Sequence, residues 1–441
     1  MKKYGSTIFM IIFLVILLIP SAGMLVFGPS ESENGEELVM PVIYSEEEGF
    51  NRNYLQQLSD VFESRFALRK QMVTGYSLLT GRLFGTSSQS TVITGTSGWL
   101  YYTDTLGDYR RTNIMSQRQI NNCVRNLYLV NEYCIDNGIG FLFVIAPNKN
   151  SIYPEYMPYY YPQGTGETNE ILITDALTEQ GIPHIYPFGV FSEADGIYYF
   201  ERDSHWNDMG AAMVANEILN MLGIPHTDYR YEPYSIQKIH SGDLEQMIYP
   251  EAVEPEEDCV FDNAPSFSYD QPVESNFEYR ISTTGEGQEN LLMYRDSFGS
   301  SLVPFFSEAF AHSFFSRSNS CQISDITART PDILIIEKAE RFLSQLCTSP
   351  SRIPAPLRTL DPLAVEIDVP DLNAAAAGEY ITVTGTLPEG SWEDDSIIYI
   401  VCGDLCYEAS PYSVIDTGEE GFTALLEKND VSTDNIKVFI D

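Results

Sequence analysis

The feature that most constrains the fold is an alternation. Four continuous apolar runs, GFLFVIAPN at 140–148, NLLMY at 290–294, HSFFS at 312–316 and DILIIE at 332–337, are separated by helically spaced stretches. An unbroken apolar run is the signature of a strand buried on both faces, because neither face meets water. Between them, Gln117–Asn137 and NEILITDALTEQG (169–181) show helical spacing, as do MGAAMVANEILNMLG (209–223) and SSLVPFFSEAF (300–310). In the third of these Ala212, Ala215, Leu219 and Leu222 share one face and Gly223 closes the helix. PHIYPF adds a short strand. This βα order predicts a three-layer α/β domain with a mainly parallel sheet over residues 86–350.

The flanks differ from that core. NYLQQLSDVFESRFALRKQMVTGYSLL places Leu55, Leu58, Val61 and Phe62 on one helical side, so residues 51–85 form a helical lead-in. VITGTSGWLYY reads as a strand and turn entering the folded domain, and residues 240–290 as an acidic, aromatic insertion without a clear pattern. After PSRIPAPLRTLDP the chain becomes strand-rich and turn-rich (EYITVTGTL, SIIYIVC, IKVFID), which predicts a small β domain over 351–441.

At the start, Lys2 and Lys3 precede an uncharged run from Ile8 to Phe27, and about 20 apolar residues suffice to span a bilayer. Basic residues before the run and Glu31, Glu33, Glu36 and Glu37 after it put the N-terminus inside and the bulk of the chain outside. Residues 1–30 are thus expected to be a transmembrane signal anchor and 31–50 an acidic linker. Ser21-Ala22-Gly23 keeps a cleaved signal peptide, and hence a secreted protein, as the alternative. The 25 basic and 63 acidic residues give a net charge of −38, which repels nucleic acid and anionic headgroups but leaves neutral glycans as partners. Seven cysteines leave at least one without an intramolecular partner; Cys402 and Cys406 can face each other across a hairpin, while Cys123 and Cys134 more simply pack. No cysteine pair has zinc spacing, and His226, His240 and His312 add no ligand spacing to Asp203 and His205, so no metal or other cofactor is expected.

Ligands of α/β sheets collect at the carboxyl ends of the strands. That rule selects Asn148-Lys149, then Asp203-Ser204-His205-Trp206 after YYF, then Tyr294-Arg295-Asp296-Ser297-Phe298-Gly299. Ser297, between a strand and a helix, has the position of a nucleophile, and a serine hydroxyl needs a base to remove its proton. His205 is the candidate base and Asp203, two residues earlier in an extended segment, the group that orients it. Each has a plainer reading: Ser297 as a helix cap, DxH as a turn, and Asn207 as the cap of the next helix.

Taken together, DSHWN, RDSFGSSLVPFFSEAF, GTSGWLYY, the strand ending APNK and PDILIIEKAERFL resemble the DHHW proteins. These group with the SGNH-hydrolase-like alginate O-acetyltransferase families, and the similarity covers roughly residues 50–346. The resemblance implies an SGNH-like α/β/α fold and an Asp-His pair ahead of the Ser. It also implies acetyl transfer to polysaccharide hydroxyls outside the membrane, with a membrane-bound acyl-transfer protein as donor. It matches Ser297 to the nucleophile, His205 to the base, Asp203 to the orienting acid and Trp206 to a pocket-shaping tryptophan. Asn148, Lys149, Arg295 and Gly299 are the accompanying substrate-binding candidates, with the Ser297 and Gly299 N–H groups and the Asn148 side chain as oxyanion donors. Ser204 stands where the family name implies a histidine, and alternation along an extended segment points it away from the Asp-His side. Three functions follow from these residues: an O-acetyltransferase, a carbohydrate acetylesterase in which water accepts the acyl group, and a catalytically silent glycan-binding scaffold.

Overall fold

The computed structural model describes residues 2–28, 40–45, 49–84, 87–415, 417–428 and 436–441. The chain divides into two compact units, Met1–Thr94 with Asp243–Glu254, and Gly95–Gly242 with Pro255–Asp441. In the first unit, Lys2–Phe27 is a single helix of 26 residues with Pro20 inside it. Some of its side chains lie outside the described residues, and among the described residues no helix is long and apolar enough to cross a membrane. The anchor read from the sequence is therefore not shown. Most of the acidic linker lies outside the described residues; within it Tyr44–Ser45 and Gly49–Phe50 pair as a small hairpin. The lead-in is two helices rather than one, Tyr54–Arg65 and Arg69–Phe84. Phe66 is extended and Leu68 takes a positive φ of 63°, which ends the helical hydrogen bonding between them.

The second unit is built on a seven-stranded sheet. In chain order its strands are β1 (Gly140–Ala146), β2 (His184–Ile185), β5 (Ser268–Tyr269), β6 (Arg280–Thr284), β7 (Asn290–Tyr294), β8 (His312–Ser316) and β9 (Ile333–Ala339), with a separate ribbon of β3 (Tyr234–His240) and β4 (Glu256–Phe261). The spatial order is β2-β1-β9-β7-β8-β6-β5. β2, β1, β9, β7 and β8 pair in parallel, but β6 and β5 join antiparallel at one edge. The sheet is therefore mixed: five strands run parallel, and the antiparallel edge pair departs from the mainly parallel sheet that the apolar runs suggested. The antiparallel edge comes from the 240–290 insertion. Its RISTT strand buries Ile281 and Thr283 on one face and carries no apolar run.

Packing follows the period of two. Phe141, Phe143 and Ile145 of β1, Leu292 and Tyr294 of β7 and Leu334 and Ile336 of β9 share one core with α1 (Gln117–Asp136) and α2 (Asn169–Glu179). The alternate residues Leu142, Val144, Met293 and Ile335 are just as buried on the other face. A β7–β8 crossover through α4 (Val303–Ala309) and a return to β9 through Ile323–Arg329 put those two helices on opposite faces, since such crossovers are right-handed. α3 (Asp208–Leu222) contacts α4 and starts at Asn207, whose side chain accepts from the Gly210 N–H at 2.9 Å; Gly223 ends it at φ 69°.

The described residues of 365–440 fold as two four-stranded sheets whose inner faces share a core of Val383, Ile398, Ile400, Phe422, Leu426 and Val438. Within it Cys402 pairs with Leu405 and Cys406 with Val401, so the two thiols are not directly opposed, and all seven cysteines are free.

Candidate active site

β1, β7 and β9 are parallel neighbours, so their carboxyl ends open on the same edge of the sheet. There the chain leaves β7 through Arg295-Asp296-Ser297. The Asp296 carboxylate ties this turn at both sides, accepting from the Phe298 N–H at 2.8 Å and from the N–H of Ala339, the last residue of β9, at 2.7 Å. The Asp296 N–H in turn donates to Glu337 Oε2 at 2.9 Å. Burial and the Asp296 charge push the Glu337 carboxyl well above the usual range. Ser297 is half-buried at the lip of this turn. A short 3-10 turn, Phe298–Ser300, follows it, and α4 begins only at Val303, so no α-helix starts directly at the serine.

The opposing loop carries Asp203 and His205. It is bent, not extended: only an isolated bridge, Tyr199 to Trp206, marks the YYF segment, which is not a strand of the sheet. Asp203 and His205 nonetheless meet, because Asp203 Oδ1 accepts both the His205 backbone N–H at 2.9 Å and the ring Nδ1–H at 2.7 Å. An Asx turn of this kind brings two side chains together without strand alternation. His205 Nε2 lies 2.8 Å from Ser297 Oγ. The tautomer follows from donor counting. An ionised carboxylate only accepts, so Nδ1 carries the hydrogen, and Nε2 of the neutral ring presents a lone pair to the serine O–H. Burial alone would raise the Asp203 pKa. The His205 charge and hydrogen bond, with those of His240, outweigh it and hold the carboxyl well below its usual range.

The same bend corrects the expectation for Ser204. Its hydroxyl is buried 3.2 Å from His205 Nδ1 and does not point away from the pair.

The accompanying candidates are all buried. Lys149 is buried and donates to the carbonyls of Glu201 at 2.7 Å and Asp203 at 2.9 Å, with Trp99 and Tyr101 rings beside its ammonium. It pins the histidine loop. Asn148 donates to Asp108 Oδ2 at 3.0 Å from a fully buried position. Arg295 is fully buried: its guanidinium donates to the carbonyls of Asn276 and Asp296 and to Ser300 Oγ, fixing the loop before β6 to the serine turn. Burial and the Arg317 charge pull its pKa down to about 10, so it stays cationic at neutral pH. Trp206 is also fully buried, stacked near Phe191 and edge-on to Phe298, and supports the site from behind. Gly299 is needed for space, since a Cβ there would meet Arg295 Cβ at 2.7 Å and Glu337 Oε2 at 2.9 Å.

Four residues of the site escaped the sequence reading. Phe298 sets its ring edge against His205 at 4.8 Å between centroids. Asp296 ties the serine turn, Arg341 lies 5.2 Å from the Phe298 ring, and His240 bonds Asp203 Oδ2 at 2.9 Å. Asp296, Phe298 and Arg341 stood in quoted segments without a role of this kind, and His240 was weighed only as a metal ligand; nothing local marks it as a partner of Asp203.

Residues 92–272 match the family model described as SGNH hydrolase-like domain, acetyltransferase AlgX. The matched segment contains Asp203 and His205 and ends before Ser297. Comparison with curated proteins found no match. Among solved structures the chain is similar to PatB1 of Bacillus cereus with a sulfonyl adduct. That likeness has 13% identity, 59% of this chain, 100% of that one and a TM-score of 0.46. It is also similar to a DHHW family protein from Eubacterium siraeum DSM 15702 (15% identity, 51% and 86% covered, TM-score 0.39). The O-acetyltransferase domain of Pseudomonas putida AlgJ gives 14% identity, 57% and 92% coverage and a TM-score of 0.37. The resemblance read from the sequence is thus shown at the level of the domain: residues 92–272 match the SGNH hydrolase-like domain of the AlgX acetyltransferase family.

Proposed function

We propose that this chain is a serine-dependent O-acetyltransferase acting on hydroxyls of a cell-envelope or secreted polysaccharide. The observation that carries the reading is the unbroken hydrogen-bond chain Asp203–His205–Ser297 at the strand ends. His205 Nε2 takes the Ser297 proton as Oγ attacks the acetyl carbonyl of an ester or thioester donor. The bond to the leaving group breaks, and that group departs with the proton from His205. An acetyl-serine remains. A sugar hydroxyl then gives its proton to His205 and attacks the acetyl carbon; the bond to Oγ breaks, and Ser297 Oγ takes the proton back from His205. Asp203 stabilises the imidazolium in both halves. Oxyanion donors are taken to be the Ser297 and Gly299 N–H groups, and each such donor is worth about 10²–10³-fold in rate.

The surroundings supply the rest of the proposal. Tyr159 and Tyr160, exposed within the aromatic stretch YPEYMPYYYP (153–162), offer flat faces for sugar rings, whereas Tyr153 is buried and Tyr156 stacks on Trp99 at 4.2 Å. The donor is read as a membrane-bound acyl-transfer protein, the location as extracytoplasmic, and the helix Lys2–Phe27 as the anchor, on the strength of its apolar run behind Lys2 and Lys3. Residues 86–350 and 351–441 are read as separate catalytic and β-rich domains.

Turnover of a small activated acetate ester tests the chemistry. Ser297→Ala should lower kcat by about 10³-fold or more, and equal rates would sink the serine mechanism. Adding oligosaccharides should then yield acetylated sugar; free acetate alone would make the protein an esterase. Cell fractionation should find the full chain with membranes.

A further inference from the structure

The Asp203 carboxylate has two oxygens, and His205 uses only Oδ1. Oδ2 faces a second imidazole, His240 Nε2, at 2.9 Å. Three features show that this contact is built. Along β3 every residue from Tyr234 to Ile239 is exposed, and only His240 is turned toward the interior. The turn is made by a bulge: Lys238 pairs with Glu257, but His240 pairs with the next residue back, Glu256, leaving Ile239 outside the register. Such an extra residue re-aims the side chain that follows it. Finally, the His240 ring stacks on Phe200 at 3.6 Å between centroids with 6° between planes, which fixes its orientation.

We propose that His240 is a positioning residue of the acyl-transfer site, a second imidazole that clamps Asp203 Oδ2 and sets how strongly Asp203 holds the proton on His205. The proposal rests on the reading of Asp203, His205 and Ser297 as the reacting group. A carboxylate held at one oxygen can swing about its last side-chain bond. Bonded at both, it keeps Oδ1 aimed at His205 Nδ1. A carboxylate cannot donate when ionised, so His240 Nε2 carries the hydrogen in this contact.

Charge adds a second effect. Burial lowers the proton affinity of His240, but the Asp203 hydrogen bond and the charges of Asp203, Asp258 and Glu256 outweigh it, and the net shift is upward. The groups facing this ring are Asp203 from the loop, Glu256 and Asp258 from β4, and Asp208 at the start of α3. Asp208 is itself pushed up to about 7 by burial and by Asp258, so part of this acidic set is neutral near pH 7. A cationic His240 shares the Asp203 charge and leaves less of it for the His205 imidazolium. His205 then releases its proton more readily and is available as a base at lower pH.

The test uses the full chain with His240→Phe, which keeps a ring against Phe200 but removes the donor and the charge, and His240→Gln, which keeps a donor without the charge. On an activated acetate ester, His240→Phe should lower kcat about tenfold or more with KM nearly unchanged, since misaimed groups cost that much. Its acid limb of kcat against pH should move to higher pH. His240→Gln should recover most of the rate above the limb but keep the displaced limb, an outcome that a purely structural role would not produce. Unchanged kcat and limb in His240→Phe, or an unmoved limb in a folded His240→Gln, would overturn the proposal. A proton NMR reading separates it from the function itself. The low-field proton shared by His205 and Asp203 should persist in the wild type and His240→Gln and broaden in His240→Phe. If Ser297-dependent turnover is absent in the wild type, the proposed function fails, and this signal still decides; equal signals in all three proteins would refute the clamp.

Discussion

At the residue scale, the site gathers carboxyl groups whose environments differ sharply. Asp203 is stabilised as an anion by two imidazoles, whereas Glu340, buried just beyond β9, is pushed up to about 8 by burial and by the nearby Glu170. Ser151 Oγ donates to one Glu340 oxygen and Tyr186 OH to the other. A carboxyl with a raised folded-state pKa binds its proton more tightly in the native protein than in the unfolded chain. Its contribution is therefore fully present below about 4.5 and is lost as pH rises toward about 8, at up to about 1.4 kcal/mol per pH unit. Glu340→Gln should flatten that part of the decline. Urea unfolding at pH 5 and pH 8 checks it: the variant should lose less stability over this interval than the wild type, and equal losses would contradict the assignment. The sequence named Asp203, His205 and Ser297 because each residue type carries its own chemistry. It gave His240 no such role, because that residue is 37 positions from Asp203 and reaches it only through the fold.

At the element scale, the serine turn is held by tight packing. Arg295 and Glu337 surround Gly299 closely enough that a methyl group displaces at least one of them. Gly299→Ala should shift the 3-10 turn and with it Ser297, lowering ester turnover about 10²-fold, the usual effect of a misplacement near 1 Å. A variant with wild-type kcat would show that the turn tolerates the displacement. Strand and helix identities here were legible from periodicity: the 20-residue helix Gln117–Asp136, the strand Gly140–Ala146 and the Asn207-capped helix Asp208–Leu222 all lie where their patterns place them. What local pattern missed were the elements without an apolar run. β6 mixes Thr, Ser and Arg with one buried Ile, and its place at the sheet edge is set by pairing with β8.

At the scale of the whole second unit, the β-rich C-terminal sheets are tied to α1 through buried polar contacts. Arg118 lies 3.5 Å from Glu420, donates to the Ser396 carbonyl at 2.9 Å and sits over the Trp392 ring. Asn122 donates to the same Glu420 at 2.7 Å. Removing the arginine strands a buried carboxylate, which typically costs about 3–5 kcal/mol. Arg118→Met should therefore lower stability to urea by about that amount, while ester turnover of the folded protein stays within about twofold because the contact is remote from Ser297. A loss below about 1 kcal/mol would mean that the Arg118–Glu420 contact contributes no more than a solvated surface ion pair.

The sequence by itself determined what the strongly patterned segments become and which residue types are chemically able to act. Burial on one face or two is written locally, in periods of 2 and 3.6, and so is the Asn207 cap. Only the tertiary structure decided which of these residues meet. Ser297 and His205 are 92 positions apart, and their 2.8 Å contact depends on the order of parallel strands, a bent loop pinned by Lys149 and a turn tied by Asp296. The same holds for the mixed sheet edge and for His240, whose approach depends on one bulged residue. Such contacts arise from chain topology and packing, which no window of neighbouring residues contains.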